Sequence, residues 1–321
     1  MNLYFNTIEF AATFIILLLV SLILRQQGVI QKSDASLFAK LIVNVVLPAL
    51  LISTLSKISV NTDILKVAAS FLFVEAILFG GSFAVGKYLL SLPRASLGVF
   101  VLCSTVGSTA ILGIAYISFI FEGEVEAVGK GLLISQLAVG IPAYIFCPIV
   151  CMWSGNTDFD KSQWLAHCKT ILTTPTIVAI LIGLVWSYIG LPTSGGLIGT
   201  AFTAMDIIGR SLVFLVAILL GLTIQRIPFK ENILAILVCA LFILVVEPIL
   251  LFNLQTWLGF EIKDIQICYF LSSMPAAYAI IAYAVRYGAD VPLASTLVVS
   301  TKLLSVVTIP AMMPLLGIFN N

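Results

Sequence analysis

Charge is scarce in this 321-residue chain: Lys, Arg, Asp and Glu make up 10% of it, against roughly 25% in an ordinary soluble domain. The formal net charge is +1, which leaves neither a basic field for nucleic acid nor an acidic tail. Histidine occurs once, at His167, in a segment that reads as a loop, and it carries no weight. There is no HExxH helix and no serine–histidine pair inside an apolar run, so an enzyme is the least expected class. The six cysteines (Cys103, Cys147, Cys151, Cys168, Cys239, Cys268) all lie in or beside apolar runs. Neither disulfides nor a metal site is expected from them, and Cys147 and Cys151, four apart, read as small packing residues. Nothing implies a cofactor. The first apolar run, Phe10 to Leu24, lacks a basic leader and a small-residue cleavage site, so it reads as a retained span rather than a signal peptide.

Apolar residues make up 61% of the chain. A bilayer core needs about 20 apolar residues per helix. Ten candidate spans follow: residues 10–26, 37–57, 67–89, 97–121, 129–153, 170–190, 201–225, 231–253, 266–287 and 293–317. The longest connection runs from Ser154 to Lys169 and carries Asp158, Asp160, Lys161 and His167; nothing remains for a soluble domain. The expected fold class is an all-α polytopic membrane protein with ten transmembrane helices. With the N-terminus outside, ten of the 16 Lys and Arg residues fall in cytoplasmic loops and four in outer loops, with Arg210 and Lys302 inside spans. That asymmetry places both termini outside.

The two halves read as copies. Val74-Glu75 meets Val246-Glu247 at an offset of 172, Ala115-Tyr116 meets Ala282-Tyr283 at 167, and Ile141-Pro142-Ala143 meets Ile309-Pro310-Ala311 at 168. Residues 1–154 form the first five-helix repeat, 155–169 a cytoplasmic connecting loop, and 170–321 the second repeat. Five is odd, so the second copy is inverted in the membrane, the 5+5 architecture of alternating-access carriers.

Pro275 stands inside an apolar span, in Leu271-Ser-Ser-Met-Pro275-Ala-Ala-Tyr278. Proline removes one backbone donor and frees a carbonyl, and lipid offers no water to satisfy it. Such breaks persist at membrane depth where the backbone lines a cavity, as in the substrate sites of transporters. The repeat partner is Cys103-Ser-Thr-Val-Gly107-Ser108-Thr109-Ala110, where Gly107 and Gly113 weaken the helix. Close packing of small residues is the competing account of that stretch. Lys302 lies about nine residues inside its span, some 13 Å deep at 1.5 Å per residue. It reads as a counter-charge for a substrate carboxylate, or as the structural partner of Glu75 or Glu247. Glu75 and Glu247 occupy equivalent repeat positions and are candidates for ion coupling, or for helix–helix hydrogen bonds. Asp206 and Arg210, four apart, are expected to pair with each other. Asn44, one turn before Pro48, either satisfies freed backbone or contacts ligand.

Three of these stretches resemble the auxin efflux carrier family, within the wider group that includes bile-acid-type sodium symporters. They are Asn44-Val-Val-Leu-Pro48-Ala, Met274-Pro275-Ala276 and Thr301-Lys-Leu-Leu-Ser305-Val-Val-Thr308-Ile-Pro310. The resemblance spans nearly the whole chain. It implies a scaffold domain from spans 1, 2, 6 and 7, and a transport (crossover) domain from spans 3–5 and 8–10. It also implies crossed broken helices at spans 4 and 9, a homodimer in the inner membrane, and organic-anion substrates. The chain departs from the family at Gly107-Ser108-Thr109-Ala110, where Gly-Asn-Thr-Gly is usual, and at Gly113-Ile114-Ala115, where Gly-x-Pro is usual. Lys302 stands where an apolar residue is more common.

The function expected is therefore a permease for a small organic anion, such as a carboxylate. Its substrate-binding candidates are Gly107, Ser108, Thr109, Pro275, Lys302 and Asn44. A sodium-coupled symporter of the bile-acid type, and a sensor that keeps the fold without turnover, are the alternatives.

Overall fold

Apolar sequence with few breakers folds into long helices, and the computed structural model builds its described residues, 3–58, 62–155, 173–223 and 232–318, into helices joined by short turns. The connecting segment expected at 155–169 lies outside them, apart from Gly155, as do Cys168, Arg226 and Lys230. The helices are α1 (Leu3–Gln26), α2 (Lys32–Leu55), α3 (Thr62–Leu89), α4 (Arg94–Cys103), α5 (Thr109–Ile120) and α6 (Val125–Ser154). They continue with α7 (Pro175–Ile189), α8 (Gly196–Thr223), α9 (Ile233–Trp257), α10 (Ile262–Ser272), α11 (Ala279–Tyr287) and α12 (Val291–Leu316). Seven of these, namely α1, α2, α3, α6, α8, α9 and α12, are long and apolar enough to cross a membrane. Their outward-facing residues, among them Ile16, Phe73, Ile207 and Val307, are apolar and exposed, the pattern of a multi-pass membrane protein. Tyr88, Tyr188 and Trp257 are exposed at the ends of α3, α7 and α9, where amphipathic rings suit the headgroup level.

Proline shapes the long helices without ending them. A five- or six-residue π-helical turn precedes Pro48 in α2, Pro142 in α6 and Pro248 in α9. The wider turn absorbs the carbonyl that each proline leaves without a donor. Asn44 sits inside the first of these turns but is exposed and hydrogen-bonds nothing among the described residues. The backbone itself, rather than the Asn44 amide, accommodates Pro48.

Small residues set the closest helix approaches. In α7, a Cβ on Gly183 would lie 2.8 Å from Leu55 Cβ of α2. In α8, a Cβ on Gly221 would lie 2.2 Å from Ser21 Oγ of α1, and that hydroxyl donates to the Ile218 carbonyl at 3.1 Å. So α2 packs with α7, and α1 with the later half of α8. Elsewhere α3 packs on α9, where Gln255 Nε2 donates to Ser70 Oγ at 2.9 Å. An aromatic contact links α1 to α5: the tilted rings of Phe10 and Tyr116 lie 4.0 Å apart, centroid to centroid.

Two stretches expected as continuous spans are interrupted. The span expected at 97–121 divides into α4 and α5 around residues 104–108, and that at 266–287 into α10 and α11 around residues 273–278.

Candidate functional site

The two interruptions meet. Gly107 and Ala276 form an antiparallel backbone bridge. The Ser108 amide donates to the Pro275 carbonyl at 2.8 Å, and the Ala277 amide to the Val106 carbonyl at 2.9 Å. Each break supplies the partner that the other lost, which is how unwound backbone survives away from water. Gly107 suits the contact: a Cβ there would come within 3.3 Å of the Met274 carbonyl oxygen, closer than ordinary van der Waals contact. From α12, the Thr301 hydroxyl accepts the Ala276 amide at 3.3 Å and itself donates to the Leu297 carbonyl at 2.9 Å.

A cavity of about 160 Å³ opens against the crossing. Gly107, Ser108 and Thr109 line it, together with Gln136, Tyr278 and Ala279. Both α5 and α11 begin at its wall. The first-turn amides of a helix have no intrahelical acceptor, and its N-terminus carries about half a positive charge. None of the lining residues is ionisable at neutral pH to a charged form. The Ser135 hydroxyl donates to Thr109 Oγ1 at 2.8 Å, and Tyr144 of α6 hydrogen-bonds Thr176 of α7 across the far side. Gln136, Tyr144 and Thr301 were not among the sequence candidates. A single glutamine in an apolar span was the available signal for the first.

Of the expected substrate-binding set, Gly107, Ser108 and Thr109 line the cavity, and Pro275 supplies a carbonyl to the crossing. Asn44 is exposed on α2, whose Val43 and Leu47 are the cavity's neighbours instead. Lys302 stands one layer back, with Nζ 4.8 Å above the centroid of the Tyr278 ring. It makes no ion pair with Glu75, Glu247 or any other described carboxylate. The ion pair that was the alternative to a substrate role is absent among the described residues, and an aromatic face, which attracts a cation through the ring quadrupole, stands in its place.

Glu75 lines a second cavity, about 210 Å³, which shares Val106, Val139 and Ala143 with the first. Glu247 is 1% exposed and lies close enough to Glu75 for their charges to interact. One carboxyl oxygen of each is buried without a hydrogen-bond partner among the described residues. Glu75 and Glu247 are therefore brought near each other behind the crossing, on helices α3 and α9, which pack together.

Asp206 and Arg210 do not pair. Lys57, at the end of α2, reaches Asp206 at 2.9 Å, and a contact between helices displaces the one expected within α8. Arg210 lines a cavity of about 370 Å³ between α2, α5 and α8. The other ionic cluster joins the starts of α6 and α10: Lys130 Nζ lies 2.8 Å from Asp264, 3.5 Å from Glu126 and 3.7 Å from Glu261.

A family model described as "Membrane transport protein" matches residues 7–169 and 163–313. A protein described as an uncharacterized transporter of Methanothermobacter thermautotrophicus is 23% identical over 321 residues, covering 96% of this chain and 98% of that protein. The chain belongs to the membrane transport protein family, that of the auxin efflux carriers.

Proposed function

We propose that this member of the membrane transport family is a secondary carrier of a small organic anion that works by alternating access around the crossed breaks. The observation that carries this reading is the crossing: two interrupted helices repair each other, and two helix N-termini open on one cavity. Converging N-termini favour negative charge, and broken helices with paired ends are the usual architecture of a carrier site.

The remaining expectations fit around it. Counting α4–α5 and α10–α11 as one broken span each, and α7 as a short one, brings the seven long helices to ten spans. Gly107 and Ala276, which pair, are 169 residues apart, within the 167–172 range of the sequence repeat. That spacing supports the 5+5 inverted repeat of residues 1–154 and 170–321. In this arrangement α1, α2, α7 and α8 are the scaffold and the other helices the transport domain, with both termini outside and a homodimer in the inner membrane.

A second element of the reading is ion coupling at Glu75 and Glu247, favoured by two neighbouring carboxyls, each with a buried oxygen and no basic partner among the described residues, behind the substrate cavity. Counterflow in proteoliposomes against a panel of mono- and dicarboxylates, with and without a sodium or proton gradient, tests both. Exchange of a carboxylate is expected. Thermal stabilisation by a carboxylate with no flux would favour a sensor with this fold, and exchange of cations alone would overturn the anion reading.

A further inference from the structure

Gln136 is an uncharged polar side chain inside the apolar helix α6. It is 2% exposed, lines the crossing cavity, and hydrogen-bonds nothing among the described residues at either end of its carboxamide. Its position is built in: Gly140 lies one turn further along α6, and a Cβ there would come within 2.5 Å of Gln136 Oε1. The neighbouring hydroxyls do not serve it, since Ser135 is bonded to Thr109 and Tyr144 to Thr176. A buried primary amide with both ends idle asks for a ligand that offers an acceptor and a donor on one edge. Exchanging the amide oxygen and nitrogen leaves that requirement unchanged.

The charge and size of the cavity narrow the ligand further. Its positive character comes from the starts of α5 and α11, each equivalent to about half an elementary charge, so together they balance about one carboxylate. The C-terminal ends of α4 and α10, Cys103 and Ser272, are not in the lining, and neither is Lys302. The volume, about 160 Å³, falls well below the roughly 300 Å³ at which ordinary ligand pockets begin.

Building on the anion-carrier reading, we infer that the substrate is a short hydroxy-monocarboxylate and that Gln136 is the residue that selects it. The carboxylate sits against the first-turn amides of α5 and accepts from Gln136 Nε2, while the adjacent hydroxyl donates to Oε1. A site built to hydrogen-bond a substrate hydroxyl discriminates strongly against the analogue lacking it, because its own polar groups are left unpaired.

The test is competition for labelled lactate counterflow in proteoliposomes of the full chain, with lactate, propionate and malate as unlabelled competitors. Lactate should compete at least about tenfold better than either of the others. Gln136→Leu should bring lactate and propionate to within about twofold of each other, with propionate still exchanged. Malate competing as well as lactate would overturn the single-carboxylate inference and leave the organic-anion reading standing. An undiminished lactate preference in Gln136→Leu would remove Gln136 from the site. Should that variant fail to fold, the wild-type ranking of the three acids decides the substrate class by itself. Exchange of no carboxylate at all would take down the anion reading and this inference with it.

Discussion

The Ala276 amide ends on the Thr301 hydroxyl, 3.3 Å away, and that single contact fastens the break after Pro275 to α12. Ala276 has no helical acceptor because the chain has already unwound at Ser273, and both residues are fully buried. A side chain from a third helix thus completes a repair that the two crossing strands begin between themselves.

Thr301→Val keeps the shape and deletes the acceptor. A buried unsatisfied amide costs about 1–3 kcal/mol, so the variant should melt at lower temperature in detergent, while Thr301→Ser stays near wild type. Equal melting of the valine and serine variants would show that Ala276 is satisfied in another way.

The cluster at the starts of α6 and α10 makes a larger demand. Asp264 is 4% exposed and its nearest cation is Lys130. Removing one partner of a buried pair strands the other, at a cost of about 3 kcal/mol. Lys130→Met should therefore be strongly destabilising. Adding Asp264→Asn should recover a good part of the loss, and a double-variant cycle of thermal unfolding reads this directly. Additive losses would mean that Lys130 and Asp264 do not depend on each other.

How much of this was legible depended on whether the cause was local. The break at Pro275 was, because a missing amide and flanking serines act within one turn, and the repeat read from the sequence pointed on to Gly107. Proline also misled: Pro48 suggested a role for the Asn44 amide, but a π-helical turn does the accommodating, and that geometry leaves no mark on residue type. Asp206 and Arg210 sit at pairing distance along one helix, yet Lys57 arrives from 149 positions away. Depth alone located Lys302, but its companion Tyr278 is set by how α11 leaves the crossing. Gln136 carried only its polarity in an apolar span, and the idle state of its amide is visible only once neighbours are placed.

Glu75 and Glu247 lend themselves to a functional cut. Their charges lie within interaction range, and each carboxyl has a buried oxygen with no hydrogen-bond partner among the described residues. If they hold the coupling ion, Glu75→Gln with Glu247→Gln should leave counterflow of substrate intact while abolishing accumulation driven by a sodium or proton gradient. Gradient-driven uptake at the wild-type rate in the double variant would reduce the pair to a packing element between α3 and α9.

Lys302 is the remaining charge near the crossing, and its position fixes how large its effect should be. Nζ rests on the Tyr278 ring, and Lys302 is not in the cavity lining, so under the anion-carrier proposal it would act on a bound anion through space and not by contact. A cation–aromatic contact of this kind contributes about 0.5–2 kcal/mol, and a charge one side chain removed from an anion acts at a similar scale. Lys302→Ala should weaken apparent carboxylate affinity by up to about tenfold, since 1.4 kcal/mol is one decade. Lys302→Arg should retain most of it, because guanidinium also stacks on an aromatic face. Lys57→Ala, at a pair well removed from the cavity, is the control for general charge effects. An unchanged affinity in a well-folded Lys302→Ala protein would remove the lysine from the anion's field and leave the helix ends and Gln136 to hold the substrate. A loss of several decades would mean instead that Lys302 turns off the ring and touches the substrate during the transport cycle.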